Sequence, residues 1–403
     1  MNKLFAFFVA ILFGAQGLFA QFQEQFSTNP SEFLGQLETF MTSSKRETLM
    51  ASYKDFEKTF NSGIFTPQEV DTLIATSNKM LNLKMTASPF FENYLAGLQV
   101  VKKNSEFPEQ QFADWHNLLS AILSDIENKN TKIFGSFLEF SKYFFDNQTL
   151  RYSKLGTSWL ARNAKYVMKY EEKQPVVEFQ MVDLLAVRKQ DSLRIVQTQG
   201  KYFPATEKWV GKNGRVNWSD RFPEEIEVYA EFRDTFSVDL NTGIYKVQNA
   251  LLFYPSYFGS KLIAGNFEDK ITGRGKDAPY PSFESKERVL KIDKIAKGVY
   301  YTGGFKLNGL TIYGYGTKQQ RAALEIYDET STRLLYKGAS ELVIIKKGET
   351  LIGERVESTL YYEKDSIYHP SVDIRFNIPK RELQLSRGQR GSDRNPFLVR
   401  RTK

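Results

Sequence analysis

The spacing of apolar residues changes period once along this chain, near Leu150, and that change calls for two different architectures. Upstream, apolar residues recur every three or four positions, the repeat of one helix face. Downstream they alternate, or run continuously in short stretches rich in Val, Ile, Tyr and Phe, the repeat of strands. The expected fold class is α+β multidomain: an N-terminal all-α helical bundle followed by mainly antiparallel β-rich domains, as a sandwich, a barrel or a β-solenoid.

Six helices are expected between Asn29 and Asn147. Asn29-Pro30-Ser31-Glu32 supplies an N-cap, a proline at the first helical position and a glutamate that can reach back, ahead of Phe33, Leu37 and Met41 on one stripe. Thr66-Pro67-Gln68-Glu69 repeats the pattern before Leu73, Ile74 and Leu81, and Ser88-Pro89 repeats it before Phe91, Tyr94, Leu98 and Val101. Three more stripes run Leu49 to Phe60, Phe112 to Ile126 and Ile133 to Phe144. The helix-starting prolines Pro30, Pro67, Pro89 and Pro108 are unevenly spaced, which favours a bundle over a repeat array.

In the β part, Lys212-Asn213-Gly214 and Asn241-Thr242-Gly243 are expected to make tight turns, because Asn and Gly tolerate positive φ. Thr272 to Glu287 is rich in Gly, Pro and Ser and is expected to separate two β domains, 149–272 and 289–386, with 273–288 as linker or long loop. The helical domain is placed at 21–148 and a basic tail at 387–403.

Residues 1–20 combine Lys3, the apolar run Leu4 to Phe13, and Gly14, Gly17 and Ala20 before polar Gln21. That is a secretory signal, too short to span a bilayer, with cleavage expected after Ala20 even though Leu18 is larger than the usual residue three before the cut. The expected location is periplasmic, extracellular or outer-membrane associated, with no transmembrane span in the mature chain. The chain contains no cysteine, which excludes disulfides, thiolate metal sites, Cys nucleophiles and lipidation at an N-terminal Cys. The formal charge of +8 is local: from Lys380 onward eight basic residues face only Glu382 and Asp393, and with Lys3 set aside, residues 21–379 carry about +1. A nucleic-acid partner is therefore not expected. Arg387, Arg390, Arg394, Arg400, Arg401 and Lys403 form a solvated tail or, as the alternative, an anion-binding one.

The stretches Ile263-Ala264-Gly265-Asn266-Phe267 and Tyr301-Thr302-Gly303-Gly304-Phe305, read as Gly-then-Phe turns after strands, and the run Leu360 to Phe376 resemble the β-jelly-roll and β-solenoid proteins of lipopolysaccharide transport in the Gram-negative envelope. The leader followed by a Tyr/Phe/Lys/Asn-rich chain is similar to large exported Gram-negative envelope proteins. This resemblance implies an envelope setting with a protein, glycan or glycolipid partner. It assigns no activity, no cofactor and no oligomeric state.

No catalytic, cofactor-binding or metal-ligating set is legible. The two histidines, His116 on the fifth helix and His369 in a turn between strands, lack a nucleophile elbow, and His369 with Asp365 is two ligands where zinc takes three or four. Gly273-Arg274-Gly275-Lys276 is followed by Asp277 where a phosphate loop needs Ser or Thr. Glu171-Glu172, Glu224-Glu225 with Glu227, and Glu363 with Asp365 read as solvated charges. Aromatic residues make up 14% of the chain, and Trp209, Trp218, Tyr300, Tyr301, Tyr313 and Tyr315 are either core or, if they face outward, a ligand platform. The first functional expectation is a non-enzymatic exported envelope protein acting in binding or assembly. The alternatives are a polysaccharide-active enzyme using Glu227, Glu325 or Asp365, and a lipid or glycolipid carrier.

Overall fold

The computed structural model describes residues 25–104, 106–126, 131–271, 275–387 and, as backbone, 398–401. The expected leader at 1–20 lies outside the described residues. Two compact units are present: Met1–Asn147 with Met168–Pro175, and Gln148–Val167 with Val176–Lys403.

The first unit holds α1 (Pro30–Thr42), α2 (Glu47–Asn61), α3 (Pro67–Asn82), α4 (Glu92–Asn104), α5 (Pro108–Ser124) and α6 (Lys132–Asn147). The start signals behave as their chemistry requires. Asn29 Oδ1 accepts from the Ser31 and Glu32 amides at 3.0 and 3.4 Å, and Thr66 with Glu69 closes a reciprocal capping box. Ser88-Pro89 differs: it lies in a π-type turn, Ala87–Phe91, and α4 begins only at Glu92. Phe33, Leu37 and Met41 are buried, as the stripe demands. Central α4 packs against α2, α5 and α6. It comes close to α5 because Gly97 has no side chain: a Cβ there would stand 2.8 Å from the buried Trp115 ring. Gly97→Ala is therefore expected to cost about 1–3 kcal/mol by overpacking, read as a lower urea midpoint; an unchanged or raised midpoint would refute this packing account.

The second unit is antiparallel throughout. It comprises β1 (Thr149–Arg151), β2 (Ser158–Glu171) and β3 (Gln174–Arg188) apart from their Met168–Pro175 ends, β4 (Asp191–Phe203), β5 (Lys208–Lys212), β6 (Arg215–Asn217), β7 (Tyr229–Glu231), β8 (Phe236–Asp239), β9 (Ile244–Phe253) and β10 (Leu262–Lys270). Then follow β11 (Ser282–Ser285), β12 (Leu290–Ala296), β13 (Val299–Asn308), β14 (Thr311–Tyr315), β15 (Ala322–Tyr327), β16 (Leu334–Ser340), β17 (Leu342–Lys346), β18 (Thr350–Tyr362), β19 (Asp365–Asn377), β20 (Glu382–Ser386) and β21 (Leu398–Arg401).

Several long strands, β4, β13, β18 and β19 among them, change partner midway along their length. β4 pairs with β5 on one side of Gln197 and with β6 on the other, so Gln197 stands opposite Asn213-Gly214. β13 pairs with β12 and β15 through residues 299–303, and with β11 and β14 through 304–308. β18 pairs with β17 and then with β16, and β19 with β20 and then with β21. Along this seam Gln197, Asn213, Asn249 and Arg355 adopt left-handed φ of 51–59°. Such bulges free backbone groups, and side chains take them up: Gln197 N–H donates to Asp183 at 2.8 Å and Arg355 N–H to Asp373 at 2.9 Å.

Several sequence expectations change here. The stretch 273–288 is not a domain linker throughout, because β11 bonds to both β10 and β13 and carries the sheet across it; 272–274 lie outside the described residues. Gly265 and Gly303-Gly304 lie inside β10 and β13 rather than in turns. They are small because rings lie on them: a Cβ would meet Phe283 at 2.2 Å from Gly265 and Tyr315 at 2.3 Å from Gly304. His369 is buried within β19, not in a turn. The basic tail contributes β21, whose Arg400 and Arg401 pair in register with Ser366 and Asp365.

Candidate functional site

A hollow of about 430 Å3 opens on the outer face of β13 and β15 and is rimmed by the β12–β13 and β15–β16 turns. Strand alternation creates it. Tyr301 points into the core while its neighbour Tyr300 is turned out, and the register sets Tyr300 opposite Glu325 and Thr302 opposite Ala323. Small Thr302 and Ala323 therefore form a floor between larger side chains. Tyr300 and Tyr327 meet edge to face, with ring centroids 5.3 Å apart.

The rim is fixed by bonds that leave little to reorganise. Arg381 donates to the Lys297 and Tyr327 carbonyls at 2.7 and 3.0 Å and pairs with Glu329 at 3.3 Å, tying both turns together. Gly298 has φ 71°, and a Cβ there would press on the Tyr327 carbonyl at 2.9 Å, so this turn requires glycine. Asp328 accepts from the Thr330 hydroxyl and from the Thr330 and Ser331 amides at 2.6–2.9 Å; these bonds, the Thr330 hydroxyl first, pull its carboxyl down to about 2. Glu325 is held by Lys337 at 3.3 Å and by the Tyr327 hydroxyl at 3.3 Å. Burial first, then Glu325, pushes the Tyr327 hydroxyl above its usual range. Lys291 pairs with Asp293 at 3.2 Å, whereas exposed Lys297 has no ion-pair partner among the described residues.

The six aromatic candidates separate by face. Trp209, Trp218 and Tyr301 are fully buried and cannot form a platform. Trp209 lies across Gly200 and Gly211, Trp218 donates to the Gly309 carbonyl at 2.9 Å, and Tyr301 donates to the Gly304 carbonyl at 2.6 Å. Tyr300, Tyr313 and Tyr315 are half-buried and outward, and only Tyr300 lines the hollow. Tyr327, its second aromatic, carries no distinguishing sequence signal, because it closes a short alternating strand like many others. Of the tail, Arg387 is exposed, Arg390, Arg394 and Lys403 lie outside the described residues, and Arg400 and Arg401 are placed by backbone alone. Of the candidate acids, Glu325 lines the hollow, Glu227 is exposed in the loop before β7, and Asp365 opens β19. They share no partner among the described contacts. No group of three or more His, Asp or Glu among the described residues could hold a metal ion.

Buried charges away from the hollow include two clusters of the β unit that the sequence does not advertise. Glu225 is not a solvated charge: it is buried and bound by Lys347 at 2.6 Å, with Lys347 over the Tyr254 ring. On β10, Asp269 faces Arg221 at 2.9 Å, with the two side chains 2% and 5% exposed. Burial lifts Asp269 to about 6 against the pull of Arg221. The neighbouring Tyr245 hydroxyl has no hydrogen-bond partner among the described residues. Sequence signals for both clusters were weak, because each partner lies far away along the chain.

Comparison with protein-family models and with curated proteins finds no match for the chain. No helix among the described residues is long and apolar enough to cross a membrane.

Proposed function

We propose that the protein is an exported envelope component that acts by binding or assembly rather than by catalysis. The observation that carries this reading is the bonding of the hollow's carboxylates. Glu325 is held by Lys337 and Tyr327, Glu329 by Arg381, and Asp328 by its own turn. General acid–base work needs a carboxyl poised opposite its counterpart and titrating near the working pH, whereas the bonds of its own turn pull Asp328 down to about 2. Here the polar groups are fixed and a ligand would meet a preorganised surface. The carrier reading ranks lower because the inward positions of β13 to β19 are filled by this chain's own side chains, Tyr301, Phe305, Ile312, Ile345, Ile374 and Phe376 among them. The enzyme reading ranks lower because Glu227, Glu325 and Asp365 are dispersed. Export rests on the leader-like residues 1–20 and fits a cysteine-free chain.

Cell fractionation should recover the chain outside the cytoplasm, beginning at Gln21. The mature chain used as bait on an envelope fraction should retain the same partner in repeated trials. Retention of Met1 in the cytosol, or repeated capture of nothing, rejects the proposal.

A further inference from the structure

We infer that the open edge of β12 is a docking site for an extended, acidic segment of a partner protein, which joins the sheet as one more strand. This rests on the binding or assembly reading above and names the kind of partner. β12 pairs with β13, setting Leu290, Lys291 and Ile292 opposite Gly303, Thr302 and Tyr301, and among the described residues no backbone hydrogen bond leaves its other side. The register slips between Ile292 and Ala296, so the backbone of 293–295 stands outside the regular ladder with N–H and C=O groups to offer. A short helix, Pro255–Phe258, stands beside this edge, its Phe258 ring meeting the core ring of Phe305 with centroids 5.1 Å apart. Helix and strand enclose a second hollow, of about 530 Å3, lined by half-buried Phe258 and exposed Val289 among others. An added strand uses both features: its backbone bonds to the open edge, and its apolar side chains, on alternate residues, rest against Phe258 and Val289.

The charge of the partner follows from the residues along the edge. From Lys286 to Lys294, the basic side chains Lys286, Arg288, Lys291 and Lys294 accompany only two acids, Glu287 and Asp293. Those two are the acids that line this hollow, and both are already paired, Glu287 with Lys261 at 3.3 Å and Asp293 with Lys291 at 3.2 Å. Arg288 and Lys294 have no ion-pair partner among the described residues, so the charge left unspent at this edge is of one sign. An acidic strand meets it, and a basic one is repelled. A second copy of the same edge is excluded as the occupant by the same charges, because pairing two β12 strands gathers the lysines of both along one seam.

Calorimetric titration of the full chain with three short peptides tests this: one alternating valine and glutamate, one alternating valine and lysine, and the acidic one with its central valine replaced by proline. The acidic peptide should bind and weaken as salt is raised, and the basic one should bind at least about tenfold more weakly. The proline peptide should lose at least about tenfold as well, since proline cannot donate to the edge. Hydrogen exchange should show the β12 amides gaining protection when the acidic peptide is bound. Lys294→Glu combined with Arg288→Glu, both exposed changes, should reduce its affinity about tenfold or more. Equal binding of the acidic and basic peptides overturns the charge assignment, and equal binding of the proline peptide overturns strand addition. Binding that leaves β12 unprotected and is indifferent to the double substitution locates the interaction elsewhere, on the basic C-terminal residues for instance, and overturns the site. Binding of no peptide also overturns it, while the envelope partner sought by pull-down stands or falls separately.

Discussion

Arg221→Met is expected to destabilise the β unit by about 3–5 kcal/mol, the cost of leaving one member of a buried ion pair without its partner. The guanidinium is 5% exposed and lies 2.9 Å from the Asp269 carboxylate, itself 2% exposed, and its other nitrogen donates to the Lys270 carbonyl at 3.0 Å. Methionine keeps the length of the stem, so the loss is electrostatic rather than a cavity. Among the described residues Asp269 then keeps the Lys270 amide, at 2.8 Å, as its hydrogen-bond partner, and it must take up a proton in a buried setting. Arg221→Met combined with Asp269→Asn should recover part of the loss, because no charge remains to be buried alone. Urea unfolding of the full chain measures both; a single variant within 1 kcal/mol of the parent, by order of magnitude, would mean that water reaches the pair and screens it. The pair also carries a pH signature. In the folded chain Asp269 is lifted to about 6 from an ordinary 3.8, so the folded state binds the proton more tightly. This group therefore adds stability as pH falls from about 6 towards 4 and removes it as pH rises through 6.

How far the residues announced this molecule differs between its two parts, for a physical reason. Helix signals are local: the Thr66–Glu69 capping box and the Phe33, Leu37, Met41 stripe are complete within one or two turns, so both were legible. Strand identity was legible for the same reason at β14, β17 and β20, whose bounds follow their alternation. What joins the strands was not. Gln197 and Arg355 sit at the seam in a left-handed conformation that neither residue type advertises, and what steadies them is a carboxylate, Asp183 or Asp373, on the neighbouring strand. The glycines of β10 and β13 mimicked turns because a ring covering a glycine is a contact between strands, invisible in order along the chain. The hollow was half legible. Tyr300 is legible by its aromatic ring and Glu325 by its charge, but their pairing depends on the β13–β15 register, and the clamp on the rim comes from Arg381, more than fifty residues beyond either turn's carbonyl it holds.

The helical unit should respond to acid in the opposite sense, through His116. This imidazole is 4% exposed, stacked on Phe112 with ring centroids 3.9 Å apart. Nδ1 lies 3.0 Å from the Phe112 carbonyl, which can only accept, so Nδ1 carries the hydrogen, and Nε2, 3.0 Å from the Tyr94 oxygen, accepts the hydroxyl proton. Burial holds Tyr94 well above the ordinary phenol range, so that donor persists. A second proton on His116 would make Nε2 a donor, oblige the Tyr94 hydroxyl to turn its hydrogen to the Leu73 carbonyl at 3.5 Å, and place a charge in a dry site. Burial accordingly lowers the imidazole from 6.5 to about 4, against the opposing pull of the Phe112 carbonyl and Glu69. The unfolded chain takes up that proton near 6.5 while the folded one resists until about 4. Stability from this group is complete above pH 6.5 and lost as pH falls towards 4, by about 3 kcal/mol. Hydrogen exchange on α4 and α5 amides, corrected for the intrinsic pH dependence of exchange, should show protection falling by roughly a hundredfold between pH 7 and 4. His116→Gln, which retains a donor and an acceptor but cannot titrate, should flatten that slope. Because Asp269 stabilises the β unit over much of the same interval, mild acid should loosen the helices first. Simultaneous loss of protection in both units, or an imidazole signal titrating at its ordinary position, would show that His116 is not shielded from water as its contacts require.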